Sequence, residues 1–193
     1  MNPTYYFLHI PKTAGSSMMR WLTDTNQFHI CPDRLWSLLM KRDKVQLDEY
    51  TLFCGHFYRY LTSYLGKPLS TFTFLRNPFD RAFSHYEHIR RDHNHFFYDK
   101  VQAQGSFLAF INDPETQPLI KNFQTRALSG IFDPVAVANS IVNSDNKKYP
   151  LEKFLTTSDT GLDDHTSLLL AKDYLMRCIF VGITERPQES VKK

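Results

Sequence analysis

The sequence is poor in cysteine and in long apolar runs. Its three cysteines, Cys31, Cys54 and Cys178, lie far apart and form no CxxC pair, which argues against a disulfide framework and a cysteine-based zinc site. No window approaches the roughly 18 apolar residues that a membrane-spanning helix needs. The N-terminus also lacks a positively charged segment followed by an apolar run. These absences predict a soluble protein of a reducing compartment, the cytoplasm.

The charge balance of the chain is only mildly basic. The 193-residue chain has a formal net charge of +3 at pH 7, without the dense lysine and arginine stripes of a dedicated nucleic-acid-binding protein. Hydrophobic residues make up 42% of the sequence, enough to bury one ordinary core but not two. We therefore expect a single domain over residues 1–193 that tolerates small anionic ligands and does not bind nucleic acid.

Short apolar runs predict strands, and amphipathic stretches between them predict helices. The predicted strands are Tyr5–Ile10, Thr51–Cys54, Thr71–Leu75 and Cys178–Ile183. The predicted helices are Ser16–Thr23, Asp33–Arg42, Pro78–Arg91, Ser106–Ile111, Pro118–Leu128, Pro134–Val142 and Asp164–Arg177. Strands that alternate with helices need crossover connections. The sequence thus predicts an α/β fold with a central parallel sheet and helices on both faces.

Polar segments and the C-terminus complete this outline. The composition of residues 143–149 and 156–164 predicts surface loops rather than domain linkers. Pro187 is well placed to open a helix, but the sequence stops after less than two further turns. We expect the domain to lack its C-terminal portion, including a terminal helix.

The segment FLHIPKTAGSS, Phe7–Ser17, places a lysine, a glycine and two serines directly after an apolar strand. A turn between a strand and a helix presents backbone N–H groups to an anion, and the helix N-terminus adds partial positive charge. Lys12 supplies a full charge, but it precedes Gly15, whereas the lysine of a Walker loop follows the last glycine. The segment predicts a phosphate-binding loop outside the ordinary NTPases. Its alternative is a plain turn with a serine cap.

A second anion-binding corner is predicted from TFTFLRNPFDRAFSHY, residues 71–86. Arg76 lies at the end of a predicted strand, and Ser84 lies about two turns into the following helix. The planar fork of arginine suits a terminal phosphate because it donates two parallel charged hydrogen bonds. On its own, the segment is more typical of an arginine paired with Asp80 and a serine on a solvated helix face.

Together the two segments resemble the sulfotransferases. HIPKTAGSS followed about sixty residues later by LRNPFDRAFSHY is similar to their paired 5′-phosphosulfate and 3′-phosphate signatures, most closely in the family that includes heparan sulfate 2-O-sulfotransferase. The strings CGHF, NFQTRALSG and FVGITERPQES resemble further landmarks of that family, in the same order. The resemblance implies a P-loop NTPase-like three-layer sandwich. It also implies transfer of a sulfuryl group from 3′-phosphoadenosine 5′-phosphosulfate (PAPS) to a hydroxyl.

Matching positions imply roles for individual residues. Arg76 and Ser84 would bind the 3′-phosphate of PAPS, and His56 in CGHF matches the family's proposed general base. Lys12 would also stabilise the departing phosphate oxygen. The acceptor would be a saccharide hydroxyl, and the reaction would need no metal. The 5′-phosphosulfate would be held by Lys12, Thr13, Ala14, Gly15, Ser16 and Ser17.

Some residues keep more than one interpretation. Relatives with HGH carry a second histidine where this chain has Cys54. Arg126 in NFQTRALSG is a candidate site-facing charge without an assigned role. Four histidines lie within eleven residues: His85, His88, His93 and His95. A metal site there is an alternative to a polar, acceptor-facing surface, which we favour because no cysteine or carboxylate lies at a familiar ligand spacing.

Two other functions stay open beside an active sulfotransferase. One is a module that binds PAPS, or its product adenosine 3′,5′-bisphosphate (PAP), without turnover. The other is a small P-loop kinase that binds ATP with magnesium, which the position of Lys12 disfavours. The sequence determines neither the acceptor nor the oligomeric state.

Overall fold

A computed structural model describes residues 3–130 and 161–190 of the chain. In these ranges the centre of the fold is a four-stranded sheet in the order β2-β1-β3-β4, and every neighbouring pair is parallel. The α/β fold with a central parallel sheet is thus confirmed. The strands are β1, Tyr5–Leu8; β2, Leu52–Gly55; β3, Ser70–Leu75; and β4, Phe180–Ile183.

Helices connect the strands, as parallel pairing requires. In chain order they are α1, Gly15–Asp24; α2, Trp36–Leu39; α3, Lys44–Asp48; α4, Tyr60–Leu65; α5, Pro78–Ile89; α6, Tyr98–Gln104; α7, Phe107–Asn112; α8, Phe123–Ser129; α9, Asp164–Arg177; and α10, Pro187–Ser190. Among the described residues, no helix is both long enough and apolar enough to cross a membrane. The predicted helix Pro134–Val142 and the predicted loop 143–149 lie outside the described residues, as does most of 156–164.

Two predicted helices are shorter in the structure. The segment Asp33–Arg42 contains only α2, because Leu35 is extended at its start and Arg42 folds back to pair with the Asp33 carboxylate. The segment Pro118–Leu128 divides into a 3-10 turn, Gln117–Leu119, and α8. Asn122 separates them, since its φ of 48° lies in the left-handed region and ends any continuous helix.

Alternate residues of β1 point to opposite faces of the sheet, and each face is covered. Tyr6 and Leu8 belong to one core cluster, together with residues of α2, α8 and α9. Phe7 belongs to a second cluster, on the other face, with Met19 and Leu22 of α1. Helices therefore lie on both faces, which gives the three layers that the sequence predicts.

The carboxyl ends of β1, β2 and β3 meet at one edge of this sheet. Open parallel sheets bind ligands at this edge, where the loops after the strands converge. The loop after β1 leads into α1, His56 directly follows β2, and Arg76 directly follows β3. The fold thus brings the three predicted parts of the site to one place.

Candidate active site

The loop between β1 and α1 has the backbone of an anion-binding turn. Lys12 and Ala14 have φ values of 71° and 66°, in the left-handed region, on either side of Thr13. Such alternation points successive N–H groups to one side, as in the concavities that hold phosphate. Ala14 is the N-cap residue of α1 and has no side-chain acceptor for the N–H groups of the first turn. Those donors and the positive end of the helix dipole are therefore available to an anion.

Thr13 contributes to this loop differently from its neighbours. Its side chain is fully buried, and Oγ1 donates a hydrogen bond of 2.8 Å to the carbonyl oxygen of Ile10. The hydroxyl thus ties the loop to the residues just after β1, and Thr13 itself does not line the cleft. The remaining predicted residues of the loop line a cleft of about 460 Å³: Lys12, Ala14, Gly15, Ser16 and Ser17.

Arg76 and Ser84 line the same cleft. The Arg76 Nη1 donates a 3.2 Å hydrogen bond to the carbonyl oxygen of Lys12, so the second anion-binding corner is braced directly against the first. Ser84 is placed by α5, which begins sharply because Pro78 occupies its first turn and the Asn77 side chain accepts from two backbone N–H groups. The two predicted corners therefore form one site.

The cleft is positively charged. Burial, followed by repulsion from Arg91 and Arg76, lowers the pKa of Lys12. None of the described residues that line the cleft is acidic. Glu185 lies beside it, with Oε1 3.8 Å from Arg76 Nε. Cations held close together in this way favour a multiply charged anion between them.

Arg81 adds a charge that the sequence analysis missed. Its guanidinium is 1% exposed, lies 4.6 Å from the centroid of the Phe123 ring, and donates a 2.6 Å hydrogen bond to the carbonyl oxygen of Leu119. Burial lowers the pKa of Arg81 to about 10. Arg81 is not among the residues that line the cleft, so its charge adds to the positive electrostatic potential of the site without direct contact.

His56 is held in a defined orientation after β2. Its backbone N–H donates to the carbonyl oxygen of Arg34 at 3.1 Å, and its Nδ1 lies 2.9 Å from the carbonyl oxygen of His9. A carbonyl oxygen can only accept, so Nδ1 carries the proton and the lone pair of the neutral ring is on Nε2. This tautomer is the one that a general base acting through Nε2 requires.

His9 is a site residue for which the sequence analysis assigned no role. Its ring stacks on Phe7, with 5.6 Å between centroids, and lies 4.5 Å from the His56 ring. On its other side it fills the space where a side chain of Gly15 would project. Burial, and then the nearby His56, Arg34 and Lys12, lowers the pKa of His9 to about 2. His9 is thus a neutral spacer between the phosphate loop and His56.

Three of the four clustered histidines line the cleft: His85, His88 and His95. Burial, and then His88, lowers the pKa of His95 to about 4, and burial, and then Lys12, lowers that of His88. His93 instead contacts the Tyr98 ring at 4.4 Å between centroids. Across residues 3–130 and 161–190, no group of three or more histidine, cysteine, aspartate or glutamate side chains is arranged to hold a metal ion.

Arg126, the candidate site-facing charge, makes structural bonds. Its guanidinium donates to the carbonyl oxygens of Pro118 and Lys121 and lies against the Phe123 ring. It does not line the cleft. Its neighbour in the same string, Gln124, instead contacts the backbone of Arg76.

The chain matches a known protein family. A family model described as "Sulfotransferase family" matches residues 3–132, which are 130 of the 193 residues of the chain. The matched range contains β1, β2, β3, the phosphate loop, His56, Arg76 and Ser84. No curated protein matches the chain significantly.

Proposed function

This chain belongs to the sulfotransferase family, and we propose that it transfers the sulfuryl group of PAPS to a hydroxyl of a carbohydrate-type acceptor. The observation that carries the proposal is the brace between the two anion-binding corners, the 3.2 Å hydrogen bond from Arg76 to the carbonyl of Lys12. PAPS has a phosphosulfate at one end of its sugar and a phosphate at the other. A ligand with two separated anionic groups fits a cleft with two joined cationic corners.

The donor would bind with its phosphosulfate on the loop. The N–H groups of Ala14 to Ser17, the Lys12 ammonium and the hydroxyls of Ser16 and Ser17 would donate to its oxygens, while Thr13 would hold the loop in shape from beneath. Arg76 and Ser84 would donate to the 3′-phosphate. The left-handed backbone at Lys12 and Ala14 supports this assignment, because strained turns of this kind occur where backbone must approach a ligand closely.

In the transfer step, an acceptor oxygen attacks the sulfur as the bond from sulfur to the bridging phosphate oxygen breaks. The acceptor proton passes to Nε2 of His56, and the electron pair of the broken bond stays on the departing phosphate. Lys12 and the N–H groups of the loop stabilise the charge that develops there. The products are a sulfated acceptor and PAP. The chain's own residues thus supply a base and a stabilising cation for an in-line displacement.

The acceptor would lie against the wall of the cleft that the donor leaves uncovered. That wall includes His88, His95 and Phe96, with the last two rings stacked at 4.4 Å between centroids. Because burial and neighbouring charges keep the pKa of both histidines low, the wall is neutral near pH 7. A neutral wall of rings suits one face of a sugar ring, with the reacting hydroxyl directed at His56.

The test is a transfer assay with radiolabelled PAPS over a panel of sulfatable glycans, phenols and lipids, without added metal. We expect transfer to a saccharide that Lys12→Ala abolishes and His56→Ala reduces by at least about a hundredfold. Lys41→Ala removes an exposed lysine outside the cleft and is the matched control. Full activity in both the Lys12 and His56 variants would contradict the assigned roles.

Titration calorimetry distinguishes an active sulfotransferase from the two other functions, a binding module without turnover and a P-loop kinase. If His56→Ala still binds PAP and Lys12→Ala does not, the result would support His56 as the base and Lys12 as part of the donor site. Tight PAP binding by the unmodified chain with no transfer to any acceptor would instead indicate a binding module. Preference for ATP and magnesium over PAPS would indicate a P-loop kinase.

A further inference from the structure

Gln124 holds both backbone polar groups of Arg76. Its Oε1 accepts a 2.9 Å hydrogen bond from the Arg76 N–H, and its Nε2 donates a 2.7 Å hydrogen bond to the Arg76 carbonyl oxygen. The two residues are 48 positions apart, on α8 and directly after β3. One side-chain amide therefore imitates the neighbouring strand that Arg76 lacks on leaving the sheet.

Arg76 stands where its backbone direction determines the position of its charge. The pairing between β3 and β4 ends with the bond from Thr184 to the carbonyl of Leu75, one residue before Arg76. Beyond that point the chain turns into α5, and a small rotation of the Arg76 backbone would move the end of this long side chain by several ångströms. Glu185 and the carbonyl of Lys12 contact the guanidinium itself. Gln124 holds the backbone from which it extends.

We propose that Gln124 is a positioning residue for the second phosphate of the donor. By fixing the Arg76 backbone, it sets the guanidinium at the distance from the phosphate loop that separates the two anionic groups of the ligand. The proposal rests on the proposed function, because it requires Arg76 to bind a 3′-phosphate. Gln124 does not line the cleft, so it would act on the ligand through Arg76 and not by direct contact.

The experiment compares two ligands that differ only in the 3′-phosphate, PAP and adenosine 5′-monophosphate (AMP), by titration calorimetry on the full chain. The variant Gln124→Met keeps the length and helix propensity of the side chain but removes both hydrogen bonds. Gln124→Asn keeps the amide but shortens its reach by one methylene. Gln102→Ala is the matched control, because Gln102 also donates to a backbone carbonyl, that of Arg90, on the surface away from Arg76.

We expect unmodified protein to prefer PAP over AMP and Arg76→Ala to lose that preference. Gln124→Met should lower the preference by about tenfold, through weaker PAP binding at nearly constant AMP affinity. Gln102→Ala should leave it unchanged. If Gln124→Met does not fold, the same loss is expected in Gln124→Asn.

Other outcomes distinguish the two proposals. Equal loss of PAP and AMP binding in the Gln124 variants would overturn the positioning role, since it would indicate a purely structural bond. An unchanged preference in those variants would overturn it as well. If the unmodified protein itself does not distinguish PAP from AMP, the proposed function fails at its first step.

Discussion

Acid should destabilise this protein well before its carboxylates are protonated, because three of its histidines are held neutral in the folded state. His85 is 4% exposed, and burial, and then the charges of Arg81, His95 and His88, lowers its pKa well below the ordinary value. His9 is the second, with its pKa lowered to about 2 by burial and its cationic neighbours. His95 is the third, with its pKa lowered to about 4 by burial and then by His88. None of the three rings takes up a proton in the folded state near pH 6.

The sign and size of this change in the free energy of unfolding follow from proton linkage. Above the unfolded pKa of about 6.5 all three histidines are neutral in both states, so they contribute no pH dependence. Below it the unfolded chain binds protons that the folded chain does not, and the free energy of unfolding falls. Between pH 7.5 and pH 5.5 each histidine costs about 1.4 kcal/mol, so the three together cost about 4 kcal/mol. The loss continues down to the folded pKa, which for His9 is about 2.

Urea unfolding at pH 7.5, 6.5 and 5.5, followed by circular dichroism, measures this difference. His9→Asn and His85→Asn should each lower stability at pH 7.5 but remove about a third of the loss between pH 7.5 and 5.5. His165→Asn is the control because that histidine is exposed. A change below about 0.5 kcal/mol in the unmodified protein, or the same slope in all four proteins, would refute the reasoning.

The remaining predictions concern the backbone around the cleft. Gly15→Ala should displace the His9 ring, whose Nε2 occupies the site of the new methyl group, and reduce transfer and PAP affinity together. Gly55→Ala would place a Cβ 2.6 Å from a backbone carbonyl beside His56, and we expect a loss of about 1–3 kcal/mol in urea unfolding together with reduced transfer. Ala14→Gly should stabilise the protein by about 1 kcal/mol because φ at this position is 66°. The control is Ala82→Gly inside α5, which should lower the free energy of unfolding by about 1 kcal/mol. If the urea midpoint falls in both variants, the backbone at Ala14 is not strained.

The sequence predicts well what depends on local periodicity. The runs around Phe7 and Phe53 are apolar on both faces of a parallel sheet, and the run around Phe74 alternates threonine with phenylalanine. All three are therefore recognisable as strands without knowledge of their partners. The short helices α3, α4 and α6 were not predicted, because five to seven residues carry too little periodicity to distinguish a helix from a loop. The left-handed Asn122, which divides a predicted helix, has no strong signal either, since asparagine is common at many kinds of position.

The candidate site divides in the same way. Lys12, Arg76 and His56 each follow a strand, so their meeting at one sheet edge could be predicted from parallel topology. Gln124 and His9 could not, because their roles depend on contacts made 48 and 47 positions away along the chain. No local pattern distinguishes a glutamine that holds a backbone from one on a solvated face. Lys12, Arg76 and His56 are predictable because the order of the strands places them together. The positions of Gln124 and His9 depend on tertiary packing, which the local sequence does not reveal.

The structure gives a physical reason why Lys12 precedes the glycine of the loop, whereas the lysine of a Walker loop follows it. A lysine that precedes the glycine lies on the strand side of the turn, where its own carbonyl oxygen can accept from Arg76 after the adjacent strand. A lysine after the glycine would belong to the first turn of α1, and its carbonyl would be used inside the helix. The position of Lys12 therefore allows the backbone of one anion-binding corner to be held by the side chain of the other. The separation of the two corners is then a property of the folded chain, present before any ligand binds.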